Sequence, residues 1–314
     1  MKLNAIEILK ASKRLKEVVY KTPLIYSQKL SQVSNGEVYL KLENLQKTRS
    51  FKIRGAYNII SQLSEEEKKR GIITASSGNH GIAVAYISQI LGLKAKIVMS
   101  KKASKEKINR CRELGAEVIL IGENYDEAEA YCKKLVEKQR LTYISSYEDY
   151  RVIAGQGTIA YEILEQNPEI DTILVPVGGG GLISGIAIWA KALNPEIKVI
   201  GVQTTKARTM YESFKAKKVV ELPVEPCIAD GLAGKISPVT LSIVLKYVDD
   251  IILVDDDKLM DAVLWTLENE KQIVEPSGAV GIAAILQNKL KIKGKAKIAI
   301  VISGGNIDVS RIQY

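Results

Sequence analysis

A single histidine, His80, stands in this 314-residue sequence, and its isolation removes most multi-histidine chemistry. A histidine-bound zinc or a serine-hydrolase triad would have to be built around that one imidazole. The three cysteines, Cys111, Cys132 and Cys227, show no Cys-x-x-Cys spacing, so neither a zinc cluster nor a redox pair is indicated. Cys111 and Cys132 fall in helix-like segments and read as small core residues. No run approaches the roughly 18 consecutive apolar residues of a membrane span. The N-terminus carries Asn4 with Glu7 three residues on, a helix-capping pattern, and charges at Lys2, Glu7 and Lys10. It lacks the apolar core of a signal peptide, so a cytoplasmic protein with no membrane partner is expected.

What is present supports a substantial core. The apolar fraction is 46%, of which aromatic residues supply little, and the length suits two ordinary domains or one large α/β unit. Lysine and arginine number 45 against 36 acidic residues, a net charge of +9. The signs are interspersed, as in Glu65-Glu66-Glu67-Lys68-Lys69-Arg70, with no long tract of one sign. That pattern describes a mixed-sign surface, so no nucleic-acid partner is expected, although anionic small molecules would be attracted.

Along the chain, strand-like and helix-like stretches alternate. Residues 37–42 alternate like a strand and 53–60 read as a helix with an apolar face. Residues 72–75 form a β-branched strand, Ser76-Ser77-Gly78-Asn79-His80-Gly81 a turn, 82–91 a helix and 95–99 a strand. Helices near 105–114 and 125–139 lead to strands at 117–121 and 143–144. The second half repeats the scheme: a strand at 172–177, the turn Gly178-Gly179-Gly180-Gly181, a helix at 182–193 and a strand at 199–202. Further strands are expected at 248–254 and 297–302, with a helix opening at Pro276. Such spacing implies parallel sheets with helices on their faces.

Each glycine-rich turn places free N–H groups and a helix N-terminus at the carboxyl end of a strand, which favours an anion. Two such turns suit two anions held near each other. The Gly178-Gly179-Gly180-Gly181 turn does not satisfy G-x-G-x-x-G, and no Gly-Lys-Ser/Thr occurs, so a lone phosphate fits better than a nucleotide. Lys52 sits where a polar loop meets a helix and could present its amine to a pocket. Deprotonated lysine amines attack carbonyls and form Schiff bases, including with pyridoxal phosphate. Most lysines are solvated, so Lys52 alone carries no assignment. The same holds for Ser303, a turn serine at the end of a strand.

In combination and order, Ser50-Phe51-Lys52-Ile53-Arg54-Gly55-Ala56, Ser76-Ser77-Gly78-Asn79-His80-Gly81, Gly178-Gly179-Gly180-Gly181-Leu182 and Ser303-Gly304-Gly305-Asn306 resemble the fold-type II pyridoxal 5'-phosphate enzymes. The branch they resemble is that of threonine/serine dehydratases and serine racemases. Ile153-Ala154-Gly155-Gln156-Gly157-Thr158 and Ile228-Ala229-Asp230-Gly231 are similar to it too, so the resemblance runs from about residue 4 to the C-terminus. It implies a tryptophan synthase β-like, two-domain α/β fold with parallel-rich twisted sheets flanked by helices. A large cofactor-binding domain would comprise 1–68 and 148–314, and a small mobile substrate-binding domain 69–147.

The resemblance also implies roles. Lys52 would hold pyridoxal phosphate through a Schiff base and then abstract the substrate α-proton. The amides of Gly178, Gly179, Gly180 and Gly181, with Leu182, would hold the cofactor phosphate. Asn79 would meet the ring hydroxyl, Ser303 the ring nitrogen, and Phe51 would pack nearby, with Glu275 lining the pocket. Ser76, Ser77, Gly78, Asn79 and His80 would bind the substrate carboxylate. Ser77 also matches the serine that faces the opposite side of the α-carbon in racemases, and so is a second catalytic candidate.

The implied reaction is β-elimination from L-threonine, and from L-serine, giving 2-oxobutyrate or pyruvate and ammonia. A serine racemase with dehydratase side activity is the alternative. Animal-type serine racemases carry an acidic pair that binds a divalent cation; Gln203 and Thr209 stand at the matching positions here, with Ala207 between them, and no metal is expected. The chain ends soon after Asn306, so a catabolic rather than an isoleucine-regulated enzyme is expected, as a homodimer or dimer of dimers.

Overall fold

The computed structural model describes residues 3–223, 225–290 and 295–308. The first third contains α1 (Ala5–Leu15), β1 (Leu24–Ser27), α2 (Gln28–Ser34), β2 (Glu37–Leu42), α3 (Lys52–Ile60) and α4 (Glu65–Arg70). The next segment runs β3 (Ile72–Ala75), α5 (Asn79–Leu91), β4 (Ala95–Met99), α6 (Lys105–Glu113), β5 (Glu117–Leu120), α7 (Tyr125–Gln139) and β6 (Thr142–Tyr143). The remainder contains α8 (Tyr150–Gln166), β7 (Thr172–Pro176), α9 (Gly181–Leu193), β8 (Lys198–Thr204) and α10 (Thr209–Ala216), and then α11 (Pro238–Tyr247) and β9 (Asp250–Val254). It closes with α12 (Leu259–Glu270), α13 (Pro276–Leu286) and β10 (Lys297–Ile302).

These strands form two sheets. The larger has the order β1-β2-β10-β7-β8-β9 and the smaller β5-β4-β3-β6. Every pairing is parallel except that of β1 with β2. The central strands β10 and β7 are almost wholly buried, as strands covered by helices on both faces must be. Apolar cores lie on the two sides of the larger sheet. One gathers α13 and α12 residues such as Val280 and Val263, and the other α8 and α9 residues such as Ile159 and Ile186. Leu24–Ser27 is too short to show alternation, and it is the one strand added antiparallel at the edge.

The two strand–turn–helix–strand units expected from the sequence are both present. β3 and β4 are parallel neighbours joined through α5, and β7 and β8 are parallel neighbours joined through α9. The whole smaller sheet is drawn from residues 72–143, so one turn belongs to each sheet. Among the described residues, no helix is long and apolar enough to cross a membrane, and no group of His, Cys, Asp and Glu is placed to hold a metal ion.

Candidate active site

The loop before Lys52 is stitched to the carboxyl end of β10. Phe51 N donates to Ser303 O at 3.0 Å, and Ser50 forms an isolated bridge with Gly304. Beneath the first turn of α3, Arg54 is fully buried between two carboxylates. It donates to both oxygens of Glu43 at 2.8 Å and to both oxygens of Glu162 at 2.6 and 2.9 Å. Lys41 donates to Glu162 and to Thr22 O, each at 2.6 Å, which completes a buried set of two cations and two anions. This cluster fixes the helix that begins at Lys52.

Lys52 is half-buried; its amine donates to Ser146 O at 3.1 Å and lies 5.1 Å from the centre of the Phe51 ring. Desolvation in the cleft pulls its pKa down to about 8, with the Glu275 carboxylate opposing the shift. A usable fraction of neutral amine is therefore present near neutral pH, and only the neutral amine is a nucleophile.

The Gly178-Gly179-Gly180-Gly181 turn lies on the other side of the 146–147 segment. A methyl group on Gly179 would stand 2.6 Å from the Tyr147 ring, and one on Gly181 2.5 Å from Tyr147 O. Gly180 has φ +91°, a left-handed conformation that favours glycine. Ser184 N donates to Gly180 O, so the N–H groups of the turn and of Leu182 precede the first helical donor of α9 and have no partner within the helix. The Leu182 side chain packs into the core and leaves only its backbone for a ligand.

The 76–81 stretch caps the smaller sheet. Ser76 Oγ accepts the Gly78 N–H, and Ser77 Oγ accepts the Ser100 N–H at 3.2 Å. His80 turns away from the turn. It is buried, its Nε2 donates to Ile144 O at 3.2 Å, and desolvation with the Lys52 charge drives its pKa down to about 3. A neutral imidazole spent on a carbonyl leaves the His80 backbone N–H, at the start of α5, as its means of meeting an anion. Asn79 Nδ2 donates to Glu275 Oε1 at 2.6 Å, and its Oδ1 accepts from Asn306 Nδ2 at 2.7 Å. Glu275 N in turn donates to Gly304 O, which brings Asn79, Glu275 and the Ser303-Gly304 turn together. Burial and the Asp230 charge raise the Glu275 pKa to about 7.

The structure thus gathers Lys52, Asn79 and Ser303 with both glycine turns around one cleft at the carboxyl ends of β3, β7 and β10. Two participants carry no motif: Ser146 contributes only its carbonyl, and Tyr147 packs the glycine turn. Asn306, the last residue of the Ser303-Gly304-Gly305-Asn306 stretch, holds Asn79, a role the motif did not announce.

A model of the family described as pyridoxal-phosphate dependent enzymes matches residues 15–304. The chain is 50% identical over 307 residues to the L-threonine ammonia-lyase of Thermotoga maritima, covering 98% of this chain and 76% of that protein. It is 40% identical over 309 residues to the catabolic L-threonine dehydratase TdcB of Escherichia coli K12, covering 98% and 94%. Among solved structures, maize serine racemase superposes with a TM-score of 0.95 at 37% identity, covering 99% of this chain and 96% of that one. The matched span and these identities show that the chain belongs to the pyridoxal-phosphate dependent enzyme family.

Proposed function

We propose that the protein is an L-threonine ammonia-lyase that also accepts L-serine. The observation that carries this reading is the neutral-prone amine of Lys52 held on Ser146 O, next to Tyr147, against which the glycine-rich turn packs. The residues fit the cofactor atom set. The turn offers N–H groups at the head of a 13-residue helix for the phosphate, and Lys52 offers an amine for the aldehyde. Ser303 is buried, and its hydroxyl has no hydrogen bond among the described residues, so it is available to the ring nitrogen. Asn79 spends one Nδ2 hydrogen on Glu275 and keeps the second for the ring oxygen.

Bound pyridoxal phosphate supplies a carbonyl for amine exchange and a conjugated ring that accepts the electron pair released at the α-carbon. Lys52, freed when the substrate amine takes its place, is the base that holds the α-proton. A serine at the ring nitrogen can donate or accept a hydrogen bond but cannot protonate the ring fully, as an acid would. With Ser303 in that place the bound cofactor would store electrons less well, so loss of the β-hydroxyl would compete well against return of the proton from Lys52. The open N–H groups at the 76–81 turn bind the substrate carboxylate. In the overall balance, threonine loses its α-proton and β-hydroxyl as water, and hydrolysis by water gives 2-oxobutyrate and ammonia.

Gln203 bears on the racemase alternative. Its Nε2 donates to Val177 O at 3.0 Å, and its Oε1 accepts the Tyr211 N–H at 2.8 Å. An amide held at both ends by the backbone is no substitute for an acidic cation ligand, which favours the lyase. The test is 2-oxo acid formation from L-threonine and L-serine, with Lys52→Ala as control. Activity lost in the variant is expected. A wild-type protein that binds the cofactor, makes no oxo acid and accumulates D-serine would overturn the lyase assignment in favour of racemisation.

A further inference from the structure

The amide of Asn79 is oriented from outside the pocket, and the series that orients it begins on α6. Arg110 Nη1 donates to Asn306 Oδ1 at 2.7 Å. Asn306 Nδ2 donates to Asn79 Oδ1 at 2.7 Å and to Thr48 O at 3.0 Å. Asn79 Nδ2 donates to Glu275 Oε1 at 2.6 Å. Every bond in this series runs in one direction.

The direction follows from the groups at the ends. A guanidinium can only donate and a peptide carbonyl can only accept, so Asn306 has one satisfactory orientation between Arg110 and Thr48. A flipped Asn306 would set its NH2 against the guanidinium and its oxygen against the Thr48 carbonyl. The unflipped Asn306 presents NH2 to Asn79, which must answer with its oxygen. Asn79 is then left with NH2 towards Glu275 and towards the cleft.

We propose that Arg110 is a positioning residue for the cofactor pocket: acting through Asn306, it fixes Asn79 as a hydrogen-bond donor to the ring oxygen of the cofactor. The proposal rests on the cofactor reading given above. It adds a link between the two sheets, because α6 packs on the smaller sheet whereas Thr48, Glu275 and Asn306 stand with the larger one. A displacement of α6 away from the larger sheet would break the Arg110–Asn306 bond. The state of the cofactor would therefore report whether the smaller sheet is in place.

The test compares Arg110→Leu, Arg110→Lys and Asn306→Asp with the wild type, each prepared without cofactor and titrated with pyridoxal phosphate. Cofactor affinity, the absorption spectrum of the bound cofactor and thermal stability are recorded. Arg110→Leu is expected to weaken cofactor binding by about tenfold, the equivalent of one charge-assisted hydrogen bond. It should also move absorption from the ring-oxygen anion towards the ring-hydroxyl form. Arg110→Lys, which still donates, should recover most of both. Asn306→Asp is the sharper probe: its carboxylate still accepts from Arg110 but cannot donate to Asn79, so the spectral shift should be at least as large while the fold is kept. Variants whose spectra and affinities match the wild type would overturn the proposal, as would a common loss of thermal stability with no spectral change. Either result with an active, cofactor-loaded wild type leaves the lyase reading standing. A wild type that binds no pyridoxal phosphate overturns both.

Discussion

A lysine amine reacts only when neutral, and the protein achieves this for Lys52 by desolvation rather than by a neighbouring cation. The rate at which cofactor-free protein captures pyridoxal phosphate should therefore rise with pH, with a midpoint near 8. Glu275→Gln should move that midpoint lower, because the carboxylate stabilises the lysine cation. The difference between variant and wild type should fade as the pH falls through about 7, where Glu275 itself takes up a proton. Stopped-flow absorbance on the cofactor-free protein measures this directly. A midpoint near the ordinary lysine value of about 10.4 would contradict it. Lys52 was legible in the sequence because a rare motif surrounds it. Arg110 was not, since it is one basic residue among Lys105, Lys107 and Arg112 on the same short helix, and only its contact with Asn306 distinguishes it.

At the scale of elements, the site is held by buried charge and by glycine. Arg54 joins the start of α3 to Glu43, which follows β2, and to Glu162 on α8. Removing it leaves two buried carboxylates with Lys41 as the one cation of the cluster, and Glu43 without its ion-pair partner. Arg54→Ala should cost about 3–5 kcal/mol in urea denaturation, as the loss of one partner from a buried ion pair does. A loss under about 1 kcal/mol would mean that water reaches the cluster. The same region explains what the sequence concealed. α8 is apolar on most sides and carries Gly155 and Gly157 in its interior, features that argue against a helix by propensity. Packing requires them: a methyl on Gly155 would lie 2.6 Å from Arg54 O, and one on Gly185 of α9 2.3 Å from Ile153 O. The glycines let α8 approach both α3 and α9, so they were readable as a family motif but not as a helix. The strands β2, β4 and β10 were readable because burial on both faces writes itself as an apolar run or as alternation.

At the scale of the molecule, the two sheets meet across the cleft through polar contacts inside and outside the pocket. Beyond the Asn79 bonds to Glu275 and Asn306 and the Lys52–Ser146 bond, Lys107 pairs with Asp230 at 3.5 Å, Lys235 with Asp126 at 3.1 Å, and Arg110 bonds Asn306. The Lys235–Asp126 pair is more than half exposed on both sides, and such pairs contribute at most about 1 kcal/mol. The unit around residues 69–147 that the sequence expects to move packs its apolar side on α3, where Ile53 and Ile59 share a core with Ile72, Ile82 and Ile97. The exposed ion pairs across the cleft are therefore the contacts that a closing element could make and break most readily. Salt should then act on closure before it acts on chemistry. Raising ionic strength from about 0.1 to 1 M shortens the screening length from about 10 to 3 Å. With cofactor saturating, KM for threonine should rise by about two- to fivefold, the range that 1 kcal/mol or less can supply, and kcat should change less. Asp126→Asn combined with Lys235→Met should raise KM at low salt and flatten its salt response, because the pair being screened is already gone. If the double variant keeps the full salt response, these surface charges do not hold the cleft closed. Closure would then rest on the Arg110–Asn306 bond and on the substrate carboxylate bridging the 76–81 turn.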